Sequence, residues 1–211
     1  MRAVDATVPY PWPYDAEAAS TFEPSRLALI VTGGQARWSC LPDGARVLSG
    51  IESLARVLRV NGVLVVFVRH GRSTGSPKRA STDLPVVATA DWELAITVQP
   101  EDWIVDTPGY DAFRSGSIEA DLAGAGRDRL LFAGLAYETT VDTTLRSAND
   151  RGFECLTMTD LVAHIDPAVG ERALSSITMS GGIFGAVGDS TAVRAAIGVP
   201  IEELQRGDAT P

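Results

Sequence analysis

The chain is poor in residues that staple proteins or anchor them. Two cysteines, Cys40 and Cys155, supply neither the number nor the spacing of a disulfide framework or a zinc site. Cys40 reads as a loop thiol and Cys155 as core inside a strand. No His/Asp grouping has metal-site spacing, so neither a metal nor a cofactor is expected. Apolar runs stay far short of the ~20 residues that cross a bilayer, and the N-terminal residues lack an apolar signal core. A reducing cytoplasm is therefore the expected setting. Positive charge is scarce as well. The balance of 18 basic and 27 acidic side chains gives −9, which opposes non-specific affinity for nucleic acid or anionic membrane.

What remains is ample for one α/β domain: 211 residues, 45% hydrophobic, with four tryptophans. Residues 1–25 have no clear period. There Pro9-Tyr10-Pro11-Trp12-Pro13-Tyr14 must run extended, because each Pro restricts itself and its predecessor. It reads as an arm laid on the domain or on a neighbouring subunit, with the domain over 26–200 and a tail over 201–211. Short, continuous apolar runs at 27–31, 63–68, 103–105, 130–133, 153–158 and 183–187 suit strands buried on both faces of a parallel sheet. Between them, helical spacing covers 47–60, 118–122, 139–150 and 168–177, and Asp189-Ser190 cap a last helix. Repeated βα units predict a three-layer α/β/α fold, a doubly wound, mainly parallel six-stranded sheet.

In such sheets ligands bind beyond the carboxyl ends of the strands, where the winding reverses. Four segments follow strand ends: 33–38, 69–72, 106–109 and 134–140. They carry polar groups with two readings each. The basic run Arg69-His70-Gly71-Arg72, followed by Lys78-Arg79, is either a solvated loop or an anion clamp. Arg69 and His70 together suit a carboxylate and a proton transfer. Asp106 is a general base or ligand anchor, or else a turn carboxylate. Glu138 is a catalytic acid or base, or a cap on the helix that follows it. Tyr137 and Trp38 line a pocket or fill one. His164 reads as structural or exposed.

The same segments carry a family resemblance. Arg26 to Gln35, ending Thr32-Gly33-Gly34-Gln35, is similar to the opening strand of the isochorismatase-like cysteine hydrolases, which ends Asp-Met-Gln. Asp106-Thr107-Pro108-Gly109 resembles that superfamily's Asp-Lys-Pro-Gly. Gly134-Leu135-Ala136-Tyr137-Glu138-Thr139-Thr140-Val141 resembles its Gly-x-x-Thr-Asp-Val-Cys-Val. Ala148-Asn149-Asp150-Arg151-Gly152-Phe153-Glu154-Cys155, Gly181-Gly182-Ile183-Phe184-Gly185 and the Pro9 arm look like the biuret and ureidoacrylate hydrolase branch.

The resemblance implies a site in which Cys attacks a carbonyl, Asp moves protons and Lys tunes both. Here Gly33, Thr107 and Thr140 stand in those three places. A Thr hydroxyl needs an adjacent base, which Gly33 lacks, and Thr107 offers no cation. Two functions follow as expectations. One is an enzyme with rewired, non-cysteine chemistry (elimination, isomerisation, cyclisation or non-covalent hydrolysis) in specialised metabolism. Its catalytic candidates are Asp106, Glu138, Thr140 and His70; Gln35, Trp38, Arg69, Thr107 and Tyr137 would bind substrate. The other is a non-catalytic ligand-binding or partner subunit. In either case the expected partner is a small polar molecule with a carbonyl or carboxylate. By family analogy the chain forms a homo-oligomer or pairs with an active paralogue.

Overall fold

The computed structural model describes residues 22–73, 84–177 and 179–198. Most of the expected arm, the Lys78-Arg79 pair and the expected tail lie outside them. The strands are β1 (Leu27–Thr32), β2 (Leu64–Gly71), β3 (Trp103–Pro108), β4 (Arg129–Leu135), β5 (Glu154–Ala163) and β6 (Ala186–Gly188). They form one sheet in the order β3-β2-β1-β4-β5-β6, and every pairing is parallel. This is the doubly wound order, with its switch point between β1 and β4.

The helices between them are α1 (Ala36–Ser39), α2 (Gly44–Val60), α3 (Ile118–Gly124), α4 (Asp142–Asp150), α5 (Pro167–Ile177), α6 (Met179–Gly182) and α7 (Ser190–Ala196). One core layer joins Leu29, Val31, Phe67 and Leu131 to Val47, Ile51, Leu54 and Leu58 of α2 and Val193 of α7. The other joins Ile30, Val66, Val68 and Phe132 to Ile118 and Leu122 of α3, Leu145 of α4 and Ile177 of α5. Alternate strand residues thus feed opposite layers, so β1, β2 and β4 need apolar residues on both faces.

Two strand expectations need correction. β5 continues to Ala163, past the polar Thr159-Asp160, because the Asp160 carboxylate accepts from Ser190 N (2.9 Å) and Ser190 Oγ (2.6 Å). β6 starts at Ala186, not at Ile183. Ile183 is 47% exposed. The backbone NH groups of Ile183 and Gly185 return to Met179 and Gly182, which makes that apolar stretch a helix end. Gly185 (φ +138°) lies so close to β5 that a Cβ there would stand 2.5 Å from Cys155 O. The helix expected from 139 begins regular geometry at Asp142, after a wider π-type turn over Tyr137–Val141.

Candidate functional site

At the switch point the ends of β1 and β4 press together. Gly134 (φ +141°) lies against Thr32, where a Cβ would sit 1.9 Å from Thr32 O. Gly33 (φ +65°) lies against the end of β4, where a Cβ would sit 1.6 Å from Leu135 O and 2.9 Å from Thr140 Oγ1. Only a residue without a side chain fits such an approach. The Leu135–Ala136 peptide bond is cis. Thr140, in the π-type turn, is fully buried. Its hydroxyl donates to Leu135 O at 2.6 Å and accepts from Thr32 Oγ1 at 3.3 Å. Its remaining near neighbour is Ala136 O, 3.3 Å away. Gly33 and Thr140 do face one another, but the space between them is taken by a backbone carbonyl.

The second half of the site is built by β2 and β3. Strand register sets Val105, Val68 and Thr32 in one row and Thr107 beside His70 in the next. By alternation these residues share one face of the sheet, so the His70 imidazole stands on the face that carries Thr32 and Thr107. It is fully buried, and Nδ1 lies 2.9 Å from Gly109 O. A carbonyl only accepts, so the proton is on Nδ1 and Nε2 keeps a bare lone pair. Nε2 is buried with no hydrogen-bond partner. Burial pushes the His70 pKa down to about 4, against a smaller upward pull from the Gly109 carbonyl. The ring is neutral near pH 7. Thr107 spends its hydroxyl on Asp111 O at 2.7 Å.

Gln35 is buried and bound to backbone on every side. Its amide nitrogen donates to His70 O (3.0 Å) and Trp92 O (2.8 Å), and its oxygen accepts from His70 N at 2.7 Å. It ties β1, β2 and the segment before β3 into one rigid corner. The Trp38 ring lies edge-on to His70, with centroids 6.4 Å apart, and joins the core layer of α2.

The remaining candidates go elsewhere. Arg69 and Asp106 are neighbours across β2 and β3, one residue out of phase with His70 and Thr107, and so on the opposite face. They form a two-pronged pair at 2.7 and 2.9 Å. Arg69 also stacks over Trp92, 3.8 Å from the ring centre, while the Asp106 side chain is 53% exposed. Glu138 caps a helix, but a distant one. Its oxygens accept from Ile165 N (3.1 Å) and Asp166 N (3.2 Å) just ahead of α5, and His164 Nδ1 lies 3.4 Å from it. His164 is structural, seated so tightly on α5 that a Cβ at Gly170 would meet its ring at 1.9 Å. Tyr137 is buried beside His164, its hydroxyl unpartnered, and burial pushes its phenol pKa up. β3 and β4 lie three inter-strand spacings apart, roughly 14 Å, so Asp106 and Glu138 do not converge.

Cys155 is buried, which raises its thiol pKa, and Cys40 is exposed. Among the described residues no group of three or more His, Cys, Asp or Glu is placed to hold a metal ion. Sequence reasoning missed Thr32, whose hydroxyl reaches Thr140, and Asp111, which receives Thr107. Thr32 directly precedes Gly33, a position signal that was available; nothing local marks Asp111.

The isochorismatase domain family matches residues 28–191. The chain belongs to the isochorismatase family. Among its relatives in the family, ureidoacrylate amidohydrolase RutB of Methylobacterium radiotolerans is 30% identical over 124 residues, which covers 57% of this chain and 47% of that protein. Streptothricin hydrolase of Streptomyces noursei is 28% identical over 184 residues, covering 86% and 60%. This isochorismatase-family chain thus spans less than two thirds of the length of either. A cysteine hydrolase from Pseudomonas syringae pv. phaseolicola superposes with a TM-score of 0.72 at 24% identity, over 82% of this chain and 93% of that one. An isochorismatase-like hydrolase from Alkaliphilus metalliredigens gives 0.73 at 15% identity, over 81% and 98%. These two establish the isochorismatase-like fold. Among the described residues no helix is long and apolar enough to cross a membrane.

Proposed function

We propose that this chain is a non-hydrolytic member of its family, a ligand-binding or partner subunit that keeps the fold and has given up covalent acyl transfer. One observation carries the reading: the Thr140 hydroxyl is fully buried and surrounded by groups that cannot act as its base. Its contacts are the carbonyls of Leu135 and Ala136 and the hydroxyl of Thr32. A serine or threonine nucleophile works only when a neighbouring base takes its proton. A carboxylate at position 33 would have to pass through Leu135 O. Thr107 holds no charge, and its hydroxyl is already committed to Asp111. On this reading Gly33, Thr107 and Thr140 replace the Asp, Lys and Cys of hydrolytic relatives, and the space between Gly33 and Thr140 is taken by Leu135 O. Assembly with further copies or with an active paralogue, in the cytoplasm, belongs to the same proposal.

The rewired-enzyme reading has one observation in its favour, the bare Nε2 of His70, which can accept a proton from a bound molecule. Its other candidate groups, Arg69, Asp106 and Glu138, are spent on an outer ion pair and a helix cap. Turnover measurements separate the two. The purified protein and Thr140→Ala are assayed for release of ammonia or acid from small amides, ureides and esters. The expected result is no release above the uncatalysed rate from either protein. Turnover that falls a hundredfold in Thr140→Ala would overturn the proposal.

A further inference from the structure

The geometry points to His70 as the specificity-determining residue of the strand-end site: its Nε2 accepts a hydrogen bond from an uncharged ligand that presents an N–H or O–H group, and it turns carboxylates away. This rests on the non-hydrolytic reading and names the ligand chemistry of that same site.

Three observations lead there. The first is position. His70 is the last residue but one of β2, on the sheet face that also carries Thr32 and Thr107, at the carboxyl edge of the sheet, next to where open α/β sheets take ligands. The second is orientation. The Gly109 carbonyl fixes the tautomer, and Gln35 grips the backbone of the same residue from both sides, accepting from His70 N and donating to His70 O. The imidazole therefore cannot turn its N–H toward a ligand without losing the Gly109 bond. The third is the orphan. Nε2 is a full acceptor, buried and unpaired, as the Tyr137 hydroxyl is on the same side of the sheet's core, and buried polar atoms in proteins nearly always find a partner. A bound donor satisfies it; a carboxylate would bring its own lone pairs against it.

The chemistry reverses the expectation of a carboxylate held by Arg69 and His70. The guanidinium of Arg69 lies on the opposite face, neutralised by Asp106, and among the described residues no charged group acts on the imidazole. A neutral acceptor without a cation beside it favours neutral donors.

The test is nitrogen NMR on protein labelled at its two histidines, His70 and His164, and at its four tryptophans. His70→Asn assigns the signals: its amide nitrogen keeps a donor for Gly109 O, and its oxygen, closer to the backbone, leaves the Nε2 position without an acceptor. Wild type and variant are titrated with acetamide, ethanol and acetate. The expected result is a saturable movement of the His70 Nε2 signal with acetamide and ethanol and none with acetate. The Trp38 indole signal follows the same titrations, with affinity at least tenfold weaker in His70→Asn. An Nε2 signal unmoved by both donors, acetate binding as tightly as acetamide, or an unaffected His70→Asn would overturn the inference. Acetamide appearing as acetate in the same tube would instead overturn the non-hydrolytic reading, so the two failures are distinguishable.

Discussion

Lowering the pH from about 7 to about 4 removes a share of this protein's stability through the His70 side chain. His70 is buried, and burial holds its pKa at about 4, against 6.5 for an exposed imidazole. Between those values the unfolded chain binds a proton that the folded chain does not. Stability therefore falls as pH falls through that window, and above 6.5 His70 contributes no slope. Each unit of difference is worth about 1.4 kcal/mol, so the whole window removes about 3 kcal/mol. That is a large fraction of a typical domain's stability. The assay is urea unfolding followed by tryptophan fluorescence at a series of pH values, for wild type and His70→Asn. The carboxylates titrate in both proteins, and their effect cancels in the difference. Wild type loses about 3 kcal/mol more than the variant between about pH 6.5 and pH 4, with the order of stabilities free to change but the slope fixed in sign. A difference that stays flat across the window refutes the burial argument for His70.

Other substitutions probe the remaining contacts. Gly33→Ala puts a Cβ at 1.6 Å from Leu135 O on a left-handed backbone; it costs more than about 3 kcal/mol or prevents folding, read as soluble yield and melting temperature. Glu138→Ala frees two backbone NH groups ahead of α5 and costs about 1–2 kcal/mol, with hydrogen exchange rising first in α5. Asp106→Asn breaks an ion pair whose carboxylate is half exposed and costs less than about 1 kcal/mol. It leaves binding of the NMR probes unchanged, because that pair lies on the far face of the sheet.

The sheet was legible wherever a strand is buried on both faces, since Leu27-Ala28-Leu29-Ile30-Val31 and Val63 to Val68 leave no room for a polar side. Legibility ended where a long-range partner overrides local pattern. Thr159-Asp160 reads as a break, yet β5 runs through it because Ser190 receives the carboxylate. Ile183-Phe184 reads as a strand, yet the chain there is still closing α6. Sequence located the segments that follow the ends of β1, β2, β3 and β4 but not the directions of their side chains. Arg69 and His70 are neighbours in sequence and lie on opposite faces of the sheet, which only the register with β3 settles. The neutral state of His70 depends on burial, and its tautomer on Gly109, 39 residues away. Glu138 was legible as a cap, but the helix it serves begins at Pro167, not at Asp142. The closure of Gly33 on Leu135 O is a backbone contact, and no side-chain pattern announces it.

The most direct measurement is a peptide map after exposure to an activated acyl donor such as p-nitrophenyl acetate, with the mass of the peptide carrying Thr140 as the readout. A hydroxyl buried against Leu135 O, with no base in reach among the described residues, stays unmodified, even where exposed nucleophiles such as Cys40 are acylated. Acylation of Thr140 at a rate above that of exposed hydroxyls would contradict the account and restore the chain to the covalent hydrolases.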